Sequence, residues 1–136
     1  MASPTSRSLT FLRKEGYLCD IVERWIIGAN IRKDLFGFGD LLAVHRLDRS
    51  ITIIQTTTLS NLSARIKKAK SLASLKVWLQ SGGKVEFHGW AKDSDGKWIV
   101  RRVSVEGDEL ISSELTPARR RKSRKPEPSL FDIQKE

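Results

Sequence analysis

The sequence predicts an α/β fold in the order helix, three strands, helix, strand, with one extra strand at its C-terminal end. Three observations carry this. Tyr17–Ile26 alternates with the period of two of a strand, and Asp40–His45 and Ile51–Thr57 are two further apolar segments of strand length separated by a polar break. From Leu59 to Leu79 the period changes: Leu59, Leu62, Ile66, Ala69, Leu72, Leu75 and Leu79 recur at threes and fours, the apolar stripe of a helix. Beyond Gly82-Gly83, which ends that stripe, Lys84–Trp90 and Lys97–Val105 form two more strands joined by the turn Asp93–Gly96.

Taken in order, Ser6 or Ser8 caps a short first helix through Leu9, Leu12 and Arg13, which stops at Gly16 and leaves residues 1–7 as a flexible N-terminus. The strand that follows places Tyr17, Cys19, Ile21, Glu23 and Trp25 on one face. Gly28-Ala29-Asn30 turns the chain, and residues 32–38 lead into the strand opened by Asp40. Leu47-Asp48-Arg49-Ser50 is a polar hairpin loop, and Thr58 or Ser60 caps the long helix. Trp78, Trp90 and Trp98 read as packing residues, with Trp90 and Trp98 facing each other across the last hairpin. The folded domain is thus expected to span residues 8–115, with a basic, unstructured tail from 116 to 136. Six of the eight residues from Ala118 to Lys125 are Lys or Arg, and such a run repels itself into an extended chain.

A chain of 136 residues supports one domain with a real core. Its net charge of +9 and pI near 10.1 point to a polyanionic partner, nucleic acid ahead of acidic lipid. The tail does not account for all of it. Residues 117–136 hold 7 of the 25 Lys and Arg and 3 of the 16 Asp and Glu, so the body itself stays basic, at +5. A single cysteine, Cys19, excludes an internal disulfide and a cysteine-rich zinc site, and Cys19 reads as a small core residue. Only His45 and His88 remain as histidines, which argues against zinc chemistry. No apolar run has signal-peptide or membrane-spanning length, so a cytoplasmic protein with no membrane partner is expected.

The polar residues on the central strands need a reason, because burying such groups unpaired costs roughly 1–3 kcal/mol each. Asp40 opens one apolar strand, while Gln55 and Thr57 close the next. A shared metal site would explain them, although Asp40 after Gly39 also suits a turn and Gln and Thr also occur in ordinary strands. Glu23 either is a buried carboxylate with a partner or pairs with Arg24 or Arg32 in solvent. Asp34, following Arg32-Lys33, reads as a solvated or turn carboxylate.

These residues and this element order resemble the PD-(D/E)XK nuclease superfamily. The strand Gly39-Asp40-Leu41-Leu42-Ala43-Val44, a short loop, and Ile53-Ile54-Gln55-Thr56-Thr57 look most like phage-type Holliday-junction-resolvase-like and VRR-type nuclease domains, over residues 8–105. The resemblance implies a restriction-endonuclease-like core, αβββαβ, with a mixed central sheet flanked by helices. It also implies a Mg²⁺- or Mn²⁺-dependent endonuclease that hydrolyses phosphodiester bonds in branched or structured DNA, acts as a homodimer and works in a bacterial or phage-infected cell. Asp40 then matches the first acidic residue of the motif, Gln55 stands where the family has Glu or Asp, and Thr57 stands where it has Lys. The metal would be held by Asp40, Gln55 and Glu23. A hydroxyl cannot supply the charge that a lysine places on the developing phosphorane. Either Arg65 or Lys68 on the following helix supplies it, or the protein binds DNA without cutting. Lys67 and Lys68, with Arg119, Arg120, Arg121, Lys122, Arg124 and Lys125 in the tail, are the expected phosphate contacts. The tip Ser129-Leu130-Phe131 is similar to part of the peptide by which bacterial proteins dock on the sliding clamp, which gives a third reading, a tail-recruited adaptor.

Overall fold

The structure is a computed structural model that describes residues 2–106 and 109–117. Helix α1 (Pro4–Lys14) leads into β1 (Leu18–Ile21). The short strands β2 (Arg24–Ile26) and β3 (Ile31–Lys33) form a hairpin of their own. Next come β4 (Leu41–His45) and β5 (Ser50–Thr58), a 3₁₀ turn at Leu59–Asn61, and helices α2 (Leu62–Lys70) and α3 (Ala73–Gln80). Strands β6 (Lys84–Lys92), β7 (Trp98–Glu106) and β8 (Glu109–Pro117) complete the order. Six strands make one mixed sheet in the order β1-β4-β5-β6-β7-β8. Among the described strands only β5 and β6 run parallel, which requires the crossover that α2 and α3 provide.

The sheet has a helical layer on each face. On one side α1 lays Phe11 and Leu12 over Cys19, Leu41, Ala43, Ile54, Trp90 and Val100. On the other, Leu62, Ala69 and Leu75 of the crossover cover Ile53, Val85, Phe87 and Val103, with Phe38 completing the cluster. The residues of β5 alternate between these cores, Ile53 to one and Ile54 to the other. Phe87 and Phe38 are fully buried, and truncating either would cost about 3–5 kcal/mol.

Several expectations are refined. Helix α1 begins at Pro4 rather than at Ser6 or Ser8, because Ser3 accepts the Ser6 amide proton at 3.2 Å and Pro4 sets the first turn. The expected strand Tyr17–Ile26 divides at Val22-Glu23. Its first half joins the sheet and its second half leaves for the hairpin. The expected helix from 59 to 79 breaks at Ser71-Leu72, where Leu72 is extended (φ −86°, ψ 130°), so the stripe continues onto a separate helix. Trp98 lies across from Lys92 rather than Trp90, although both tryptophans share the α1 face. Strand β8 was not expected and runs to Pro117, just past the expected boundary of the tail.

Candidate metal centre

Three carboxylates, from Glu23, Asp34 and Asp40, present oxygens within 4.8 Å of one another at the end of the sheet where β4 begins. Tight backbone geometry assembles them. Leu35 and Gly39 form an antiparallel bridge, with Leu35 N donating to Gly39 O at 2.8 Å and Gly39 N to Leu35 O at 2.9 Å. That bridge folds Asp34 back beside Asp40. The loop turns through left-handed conformations at Phe36 (φ 57°) and Gly37 (φ 86°), and Ser74 Oγ of α3 donates to Phe36 O. A side chain at Gly39 would meet Ile53 Cγ2 at 2.6 Å, so only glycine lets this loop lie against β5. Glu23 is set by the same residue from the other side, because Asp40 O accepts from Val22 N at 2.9 Å and from Glu23 N at 3.4 Å.

Gln55 and Thr56 hold the Asp40 carboxylate. Its Oδ2 accepts from Thr56 N at 2.8 Å, Thr56 Oγ1 at 3.2 Å and Gln55 Nε2 at 3.3 Å. Gln55 Nε2 also donates to Asp34 Oδ2 at 3.3 Å, so one amide bridges two acids. Thr56 Oγ1 lies 2.8 Å from Thr5 Oγ1, which ties the site to α1. Burial pushes the Asp40 carboxyl above its usual pKa against the Thr56 amide, with Glu23 adding to the rise. Asp34 is likewise raised, by burial first and then by Asp40, while Gln55 and the Arg65 guanidinium oppose the shift.

The expected site residues therefore divide. Asp40, Gln55 and Glu23 come together. Arg65 is exposed on α2 but acts electrostatically on Asp34. Thr57 is buried beyond Gln55 and takes no part in holding Asp40. Lys67 and Lys68 lie on the exposed face of α2. Both readings of Glu23 hold at once: it is largely buried among carboxylates and also pairs with Arg32 at 3.4 Å. Gln55 differs from expectation in its polarity, since its amide nitrogen, not its oxygen, faces the acids. Turning the amide through 180° exchanges the two atoms within the same shape.

Asp34 and Thr56 belong to the site and were not expected there. Two glycines and two phenylalanines between Asp34 and Asp40 were the available signal for a closed loop with paired ends. The tail residues Arg119, Arg120, Arg121, Lys122, Arg124, Lys125, Ser129, Leu130 and Phe131 lie outside the described residues. No helix among the described residues is long and apolar enough to cross a membrane. No protein-family model, curated protein or solved structure matches the chain.

A second polar network crosses the α1 face. Trp90 Nε1 donates to Ser8 Oγ at 2.8 Å, Ser8 Oγ meets His88 Nδ1 at 2.8 Å, and His88 Nε2 meets Glu86 Oε1 at 2.7 Å. Arg102 bonds Glu86 Oε1 through Nε and both Glu15 oxygens through Nη1, at 3.0 and 3.1 Å. Ser8 and His88 are fully buried, so a serine–histidine–glutamate chain that resembles hydrolytic machinery has no access to a substrate. Its role is to lock α1 onto β6 and β7.

Proposed function

We propose that this protein is a divalent-metal-dependent DNA endonuclease of Holliday-junction-resolvase-like type, acting on branched or structured DNA. One observation carries the reading: three carboxylates converge at the start of a central strand, and among the described residues neither Asp34 nor Asp40 has an ion-pair partner. The element order α1, β1, β4, β5, the α2–α3 crossover and parallel β6 supports a restriction-endonuclease-like core, with β2–β3 as an insertion and β7–β8 as an extension. The body's positive charge supports a polyanionic substrate.

The donor set suits Mg²⁺ or Mn²⁺, because hard divalent cations take oxygen ligands and need few from the protein. Glu23, Asp34 and Asp40 would hold the ion, with Gln55 able to present Oε1. When bound, such an ion neutralises phosphate oxygens and acidifies a water. The chain's own residues supply the rest. Thr56 fixes the Asp40 carboxylate through two donors, and Gln55 sets the spacing of Asp34 and Asp40. Arg65, which acts electrostatically on Asp34, would offset charge developing on the phosphate, the role that PD-(D/E)XK nucleases give to the lysine where this chain has Thr57.

The test is cleavage of labelled junction, flap and duplex DNA with Mg²⁺ or Mn²⁺ by wild-type protein and Asp40→Ala. Cleavage by the wild type alone, with DNA binding retained in the variant, is the expected result. Failure of the wild type on every substrate would sink the enzymatic reading. The uncharged Thr57 favours one second reading, a DNA-binding protein on the same fold, for which Asp40→Ala would change neither binding nor its salt dependence.

A further inference from the structure

Glu23 belongs to two places at once. It is part of the carboxylate cluster, and it lines a groove of about 330 Å³ between the start of α1 and the β2–β3 hairpin. The other walls of the groove include Thr5, Ser6, Arg24, Arg32 and Trp25. Hydroxyls and two guanidinium groups suit a phosphodiester backbone, and Trp25, 54% exposed, offers a wide aromatic face beside them. The hairpin is unusual for a surface element because it is both basic and apolar. Arg24 and Lys33 pair across it, while Ile31 is more than half exposed and Ile27 at its turn is 91% exposed. Trp25 and Arg32 are cross-strand partners, so the aromatic ring and a guanidinium lie side by side on one face of the hairpin.

We propose that this groove holds an unpaired nucleotide of a DNA strand, with Arg24 and Arg32 against the backbone and Trp25 stacked on the base. A basic groove combined with an aromatic platform is how single strands are held without sequence preference. The groove has room for a nucleotide and not for a duplex, so it selects DNA that has an unpaired or splayed segment. Its shared residue, Glu23, sets that segment next to the acidic cluster. Hairpin and cluster are directly joined, because Glu23 immediately precedes β2 and Asp34 immediately follows β3. The inference rests on the proposed function only in taking DNA as the partner, and it fails separately from cleavage.

The experiment is fluorescence anisotropy of labelled single-stranded, flapped and fully paired oligonucleotides with the full chain in EDTA, where nothing is cut. Comparison is with Trp25→Ala and Trp25→Phe, each checked by thermal melting. Trp25→Ala should weaken binding to single-stranded and flapped DNA by about tenfold while changing duplex binding by less than about twofold, with Trp25→Phe recovering most of the loss. Equal loss on all three DNAs, or no loss on any, would overturn it. So would a Trp25→Ala effect on sedimentation without one on DNA affinity, which would assign the hairpin to contact between copies of the chain. Wild-type protein that binds with this Trp25 dependence but never cuts with Mn²⁺ would remove the nuclease reading and leave this one standing.

Discussion

Two groups of carboxylates sit in this small protein at similar depth, and they are treated in opposite ways. At one, Glu86 is held by Arg102 and His88, which outweigh burial and bring its carboxyl down to a pKa of about 2. Glu15 shares the same Arg102, although burial still leaves its carboxyl above the ordinary value. At the other, Glu23, Asp34 and Asp40 face one another with an amide, a hydroxyl and a backbone N–H as the main donors, and both aspartates are pushed up. Arg32 touches only Glu23, and Arg65 acts on Asp34 without an ion pair. A fold that needed these acids only for stability could have paired them, as it pairs Glu86. The difference separates a paired clamp from a group of acids that face one another, and it is the second group that the proposed function takes as its metal site.

Breaking the clamp should have the largest effect. Arg102→Met leaves Glu86 and Glu15 buried without their shared cation, and we expect a loss of about 3–5 kcal/mol in urea unfolding. The companion change Glu86→Gln should restore part of it, because the pair is coupled. At the acidic cluster the same kind of neutralisation should act in reverse. Asp40→Asn keeps an acceptor for the Thr56 amide and removes a repelling charge, so the melting temperature in EDTA should rise by a few degrees. Cleavage by that variant should fall at least about 100-fold if the proposed function holds. A variant that melts lower than the wild type would show that the two groups are not opposites.

The two groups also give opposite pH slopes. Glu86 is depressed in the folded state, so its stabilisation is present above the ordinary carboxylate pKa and is lost as pH falls from about 4.5 toward 2. Asp34 and Asp40 are raised, so their contribution is complete below the ordinary value and is lost as pH rises through their folded pKa values. Stability measured against pH in EDTA should therefore fall on the acid side in wild type and Asp40→Asn alike. The decline toward neutral pH should be shallower in Asp40→Asn; parallel curves would contradict the assignment. The smallest effect should come from Arg65→Ala, which loses a screened, exposed charge. If the proposed function holds, we expect about a tenfold loss of cleavage with unchanged stability, read from single-turnover rates.

How far the sequence could be read depends on how local the information was. The strands around Asp40 and Ile51–Thr57 follow from short apolar runs that single segments carry, and Gln55 beside Asp40 follows from their adjacency on neighbouring strands. The break at Leu72 was hidden because α3 resumes the apolar stripe of α2 without a glycine or proline to mark the change. Asp34 looked solvated because its charge partners depend on the Leu35–Gly39 bridge, a three-dimensional closure that charge neighbours in sequence do not reveal. Thr56 was passed over for Thr57 by a motif defined on side chains, whereas its main service is a backbone N–H. The Glu15–Arg102–Glu86 clamp joins positions 87 and 16 residues apart, beyond the reach of any local pattern.

The central claim is that the Glu23–Asp34–Asp40 cluster binds a divalent cation. It is tested most directly by titrating Mn²⁺ into the full chain and following free Mn²⁺ by electron paramagnetic resonance, with Asp40→Asn alongside. Saturable binding at one class of site in the wild type, lost in Asp40→Asn and competed by Mg²⁺, is the result expected. Equal Mn²⁺ uptake by the two proteins, or no saturable uptake by the wild type at millimolar Mn²⁺, would contradict it.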